Sequence, residues 1–96
     1  MAEYRLTPKA VNDLRDIWYH IASENEPAAD ALVNRIFDKL ELAAGMPFMG
    51  SPRPALSARC RLLVEGNYVI LYEPEDYGIR AIAIVSGLRD PAHWLK

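Results

Sequence analysis

Cysteine is almost missing from the 96 residues: Cys60 stands alone, which excludes an internal disulfide and a cysteine-based zinc site. Histidine is limited to His20 and His93, and neither sits in a cluster of the kind that metal coordination requires. No stretch approaches the roughly 20 consecutive apolar residues of a membrane span. The opening, MAEYRLTPKA, lacks the basic-then-apolar layout of a secretory signal, so the cytoplasm is the expected compartment and no membrane is an expected partner. A basic excess is missing too. Lys and Arg number 11 against 13 Asp and Glu, a net charge of −2, which points away from direct sequence-specific nucleic-acid binding. There is no glycine-rich phosphate loop, no HExxH and no GxSxG, so no catalytic residue, metal or cofactor is expected from motifs.

What is present is an ordinary folding composition. Hydrophobic residues make up 51% and charged residues 25% of the chain, enough for one small domain over residues 1–96 with a modest core. Glu3 to Thr7 alternates, with Tyr4 and Leu6 opposite Glu3 and Arg5, and reads as a strand with one buried face. Thr7-Pro8 is a helix start: the hydroxyl can cap, and proline at the first helical position loses no needed donor. Val11, Leu14, Ile17, Trp18 and Ile21 then recur at helical spacing, predicting a helix over Pro8–Ser23. After the break at Glu24–Pro27, capped by Asn25 or Glu26, Leu32, Ile36, Leu40 and Ala43 form a second stripe. Gly45 is placed for a left-handed C-terminal cap and Pro47 forbids continuation. Val11, Leu14, Trp18, Leu32 and Ile36 are the expected core of this helical hairpin. Met46 to Ala58 holds three prolines and a glycine in thirteen residues and reads as a connection, pinned by Phe48 and Leu56.

Three β-rich runs follow, Cys60–Val64, Tyr68–Glu73 and Ile79–Ser86, separated by Glu65-Gly66-Asn67 and by Pro74 to Gly78. Their turn chemistry predicts an antiparallel meander. Simple alternation puts Tyr68, Ile70 and Tyr72 on one face and Val69 and Leu71 on the other. In the last run it puts Ile79, Ala81, Ala83 and Val85 on one face, with Ile82 and Ile84 beside Arg80 on the other. Both faces are therefore apolar, whereas a sheet with one wet face alternates apolar with polar. The second face needs a cover, which either a partner protein or the tail with Trp94 and Leu95 can supply. The fold class is α+β: an N-terminal strand and an antiparallel helical hairpin packed on an antiparallel sheet completed by the C-terminal meander.

Charge is unevenly distributed. Residues 1–46 hold five basic and eight acidic side chains, and residues 47–96 six basic and five acidic. Arg53, Arg59 and Arg61 fall within nine positions, a local basic patch that suits an acidic protein segment as well as phosphate, with arginines on a solvated strand edge as the alternative reading.

The order of these segments, with YRLTPKAVNDLRDIWYHIA, PAADALVNRI, Met49-Gly50-Ser51-Pro52-Arg53, GNYVILYEPE and the VSGLRD ending, resembles the RelE/ParE superfamily of toxins from bacterial type II toxin–antitoxin modules, the ParE branch being the closer likeness. That resemblance implies a compact toxin, held inactive by a ParD-like antitoxin whose C-terminal segment wraps it. It also implies DNA gyrase as the target, inhibited by binding. RelE-like members instead cut mRNA in the ribosome, using basic and tyrosine side chains. Where their pattern has an arginine after the middle-strand tyrosine, this chain has Val69, and past the glycine-arginine turn it has Pro91 and then Trp94 or Leu95. Those departures weigh against the alternatives of a ribosome-dependent endonuclease, and leave an inactive antitoxin-binding homologue as a third reading. Ser86 stands where the ParE branch often has histidine. The residues expected to meet antitoxin are Arg53, Arg59, Arg61, Val69, Leu71, Ile82 and Ile84. Those expected to engage the target are Arg89, His93 and Trp94.

Overall fold

The computed structural model describes residues 2–88, 91, 94 and 95. In chain order the elements are β1 (Glu3–Leu6), α1 (Pro8–Ala22), α2 (Glu26–Gly45), β2 (Ser51–Pro52), β3 (Arg61–Glu65), β4 (Tyr68–Glu75) and β5 (Gly78–Ser86). The strands form one sheet in the order β1-β5-β4-β3-β2. The meander β3-β4-β5 is antiparallel as its turns predict, but β1 runs parallel to β5, so the sheet is mixed. Parallel pairing is possible there because the helical hairpin and the connection separate the two strands in sequence.

Both helices start where their caps place them. The Thr7 hydroxyl accepts from the Ala10 N–H at 3.1 Å, and the Asn25 side chain accepts from Ala28 N–H at 3.0 Å. Their joint apolar stripe, with Leu14, Ile17, Leu32, Ile36 and Leu40, covers Leu63, Ile70, Tyr72, Ile79, Ala81 and Ile84 of the sheet. Val11, expected in this core, is 39% exposed, and Trp18 is half-buried at its edge, donating its indole N–H to Asp30 at 2.7 Å. Gly45 does not make a left-handed cap. Positive φ occurs only at Gly66 and Gly78 among the described residues, and α2 ends instead through the Met46 N–H on the Ala43 and Leu42 carbonyls.

A β-bulge rearranges the faces of β5. Leu71 pairs with Ala83 and Tyr72 with Ala81, leaving Ile82 as the extra residue. Alternation therefore restarts after it. Ile84 joins Ile79 and Ala81 under the helices, while Ala83 and Val85 turn to the opposite face, the reverse of what strict alternation predicts for these three. The polar groups that the bulge frees are taken by the start of α1. Thr7 Oγ1 donates to the Ile82 carbonyl at 2.8 Å, and the Ile84 N–H donates to the Asp13 carboxylate at 3.0 Å. Thr7 thus caps α1 and ties it to the sheet at once.

The second face is closed by the chain itself. Trp94, 8% exposed, sits with Cys60, Leu62, Val69, Leu71, Ala83 and Val85, and Leu56 and Leu95 pack alongside. Of the two covers that the sequence leaves open, the tail is in place.

Pro74 lies inside β4 rather than ending it. By the alternation of the ladder its nitrogen points toward β3, beyond Arg61, the first residue of that strand to pair, so no strand hydrogen bond is lost.

Candidate partner-binding site

The connection after α2 is held by one buried side chain. The Tyr72 hydroxyl donates to the Pro47 carbonyl at 2.9 Å and accepts from the Gly50 N–H at 2.8 Å. Gly50 is required at this point, because a Cβ there would lie 2.6 Å from the Tyr72 oxygen and 2.9 Å from the Leu62 carbonyl oxygen. Burial pushes the Tyr72 phenol up, against smaller opposing effects of the Gly50 bond and Arg61. Tyr72→Phe should orphan a donor and an acceptor and lower stability by about 1–3 kcal/mol, read as a shift in the urea midpoint at unchanged slope. A loss under about 0.5 kcal/mol would mean that water replaces the hydroxyl.

Phe48, expected to pin this connection, is 71% exposed instead. It borders a cavity of about 460 Å³ lined by Pro47, Phe48, Pro52, Ala58, Arg59, Cys60, Arg61, Pro74, Glu75 and Asp76. Arg61 Nη1 donates to the Phe48 and Gly50 carbonyls at 2.9 and 2.6 Å, and its guanidinium lies 5.0 Å from the Phe48 ring centroid. Arg59 donates to the Pro74 carbonyl and lies 3.6 Å from Glu75. Arg53, just past β2, donates to the Pro52 carbonyl at 2.8 Å. Among the described residues, Arg59 has a carboxylate partner, while Arg53 and Arg61 have none and donate to backbone carbonyls. Fixed guanidinia over apolar walls suit a partner segment that mixes carboxylates with aliphatic side chains. Cys60 lies at the floor, buried, and desolvation raises its thiol pKa, with Glu73 adding and Arg53 opposing. It is a packing residue rather than a thiolate nucleophile.

Beside the groove, Ser57 donates to Glu73 at 2.7 Å and Arg80 donates to Glu73 at 2.8 Å. The Ser57 bond is the largest reason that the Glu73 carboxyl sits below its ordinary value; burial opposes and Arg80 adds. A depressed folded-state pKa stabilises above the unfolded value and loses that contribution as pH falls through the folded one. Ser57→Ala should therefore flatten the acid limb of the stability–pH curve while changing its slope near neutrality little, as thermal melts between acid and neutral pH would read. An unchanged acid limb would remove Ser57 from this role.

The expected contact residues do not form one surface. Arg59 and Arg61 line the groove, and Arg53 lies outside its lining, near enough to Cys60 to act on its thiol. Val69 and Leu71 lie under Trp94, with Leu71 fully buried. Ile82 is half-buried at the bulge and Ile84 is buried beneath the helices, so it offers nothing to a partner in this arrangement. Trp94 is turned inward, whereas Arg89 and His93 lie outside the described residues. The apolar residues Leu42, Met46 and Phe48, all strongly exposed, lie outside the patterns the sequence offers: Leu42 sits off the buried stripe of α2, Met46 caps the end of that helix, and Phe48 is flanked by turn residues.

Comparison with known proteins gives a consistent picture. The family model that matches describes the ParE toxin of the type II toxin–antitoxin system parDE, over residues 4–91. A solved chain titled as the chromosomal ParDE toxin–antitoxin system from P. aeruginosa superposes with a TM-score of 0.73 at 21% identity, covering 90% of this chain and 96% of that one. No protein with a curated description matches by sequence.

Proposed function

Because the chain belongs to the ParE toxin family of type II toxin–antitoxin systems, we propose that it acts by binding DNA gyrase, and that a ParD-kind antitoxin neutralises it by laying an acidic, partly apolar segment along the groove of Arg53, Arg59 and Arg61. The observation that favours binding over RNA cleavage is the state of the groups where cleavage would need chemistry. Val69, at the position of the nuclease arginine, is buried beneath Trp94. The Tyr72 hydroxyl is engaged in both directions, and both Tyr72 and Cys60 are shifted away from the charged forms that proton transfer or nucleophilic attack would use. Arg89 and His93 stay assigned to the target, while Trp94, buried against the second face of the sheet, serves as a packing anchor.

Purified chain should inhibit gyrase supercoiling, and the protein encoded beside it should relieve that inhibition at equimolar ratio. Unimpaired supercoiling at large excess would overturn the gyrase reading, and cleavage of translated mRNA on induction would replace it with the endonuclease. Arg59→Glu should weaken antitoxin binding by about tenfold or more without altering the fold. Unchanged affinity would move the antitoxin off this groove. Among the described residues no helix is long and apolar enough to cross a membrane.

A further inference from the structure

We propose that Tyr72, a side chain no partner can touch, positions the arginine through which the groove recognises a carboxylate, Arg61. The proposal deepens the antitoxin reading given above and rests on it. Among the described residues, Arg61 is the arginine that lines the cavity without a carboxylate of its own: Arg59 has Glu75 at 3.6 Å, and Arg53 lies outside the lining. Arg61 is also oriented. Its Nη1 is spent on the Phe48 and Gly50 carbonyls, at 2.9 and 2.6 Å, and its guanidinium lies against the Phe48 ring. Among the described residues Nε and Nη2 donate to nothing, which leaves open the edge that a carboxylate bridges with two parallel bonds.

What holds Arg61 in this posture is the connection, and what holds the connection is Tyr72. The two residues face each other across β3 and β4. Tyr72 is fully buried, and its hydroxyl bonds Pro47 and Gly50, on either side of Phe48. The carbonyls that Arg61 uses therefore lie within the segment that the hydroxyl pins. Without it, the connection keeps the Met49 N–H on the Met46 carbonyl and the pairing of β2 with β3, so its course is retained. The frame around Arg61 is loosened all the same. A partner must then order the guanidinium as it binds, and that ordering costs affinity.

Surface plasmon resonance with the full chain and the purified protein encoded beside it tests the proposal. Arg61→Ala should weaken binding about tenfold or more. Tyr72→Phe keeps every charge and should weaken it about three- to tenfold. That loss should fall on dissociation, because the charges that steer association are unchanged. In the double variant Tyr72→Phe should add less than about twofold, since no guanidinium is left to position. Arg61→Lys in the otherwise parental chain tests the oriented seat without touching Tyr72: it keeps the charge, lacks the fork, and should lose most of what Arg61→Ala loses. Ile17→Val, a core truncation on α1, should bind as the parent does, and far-UV circular dichroism checks that every variant folds. Parental affinity in Tyr72→Phe or Arg61→Lys while Arg61→Ala is weakened would overturn the positioning role and leave the groove reading standing. A Tyr72→Phe loss that is the same with and without Arg61 would do so too. Parental affinity in Arg61→Ala, or no binding by the parent chain, would overturn that reading and the proposal with it.

Discussion

Gly78→Ala is expected to lower stability by about 3 kcal/mol or more, the largest effect of any single methyl group added to this chain. Gly78 has φ of +142°, a region that side chains rarely enter, and it opens β5 opposite Glu3 of β1. A Cβ there would fall on the Glu3 carbonyl oxygen and lie 2.9 Å from the Glu3 nitrogen. The obstacle is backbone, so no rotamer can relieve it and only displacement of β1 can. That strand is held by the Glu3 N–H on the Tyr77 carbonyl and the Thr7 N–H on the Ala81 carbonyl, and Thr7 also caps α1. Pushing β1 away therefore loosens the seat of the first helix as well as one edge of the sheet. Gly45→Ala is the matched control, because nothing lies within 4 Å of its added methyl and it sits at the end of α2. It should be neutral or stabilising by about 0.5–1 kcal/mol. Urea midpoints of the two variants read the contrast, and a Gly78→Ala chain as stable as Gly45→Ala would mean that β1 does not pair with β5 in this register.

That contrast between two glycines shows what kind of information the chain carries locally. The helices were legible because caps and stripes are local: Thr7, Asn25 and the spacing of Leu32, Ile36 and Leu40 each act within a turn or two. The hairpin at Gly66 was legible for the same reason, since a glycine with φ of +58° serves a two-residue turn. The partner of β1 was not, because parallel pairing with β5 depends on elements more than 70 residues apart. Nor was the bulge at Ile82, which no residue type marks. Its polar groups are met by Thr7 and Asp13 from the far end of the chain, so the exchange of faces between Ala83 and Ile84 is decided by tertiary contacts. The candidate groove was half legible. Clustered arginines announce a basic patch, but their fixing by the Phe48, Gly50 and Pro74 carbonyls is a property of the folded connection.

Trp94→Ala should cost about 3–5 kcal/mol, the range for removing a large aromatic side chain from a core. Trp94 is the largest side chain over the second face, where Val69, Leu71, Ala83 and Val85 lie beneath it. Removing it uncovers an apolar strip that the hairpin of helices, packed on the opposite side, cannot reach. The loss should therefore appear twice, as a lower urea midpoint and as binding of an apolar dye to the folded protein. Leu71→Ala, fully buried in the same cluster, should couple to it by more than about 0.5 kcal/mol in a double-mutant cycle, since the two side chains share one cavity when either is truncated. Trp18, half-buried and bonded to Asp30 on the helices, should keep its fluorescence through the change and so report that the first core is intact. If Trp94→Ala instead melted like the parent chain, the tail would not be what seals this face. The apolar surface of Val69 and Leu71 would then belong to a partner, the other cover that the sequence leaves open.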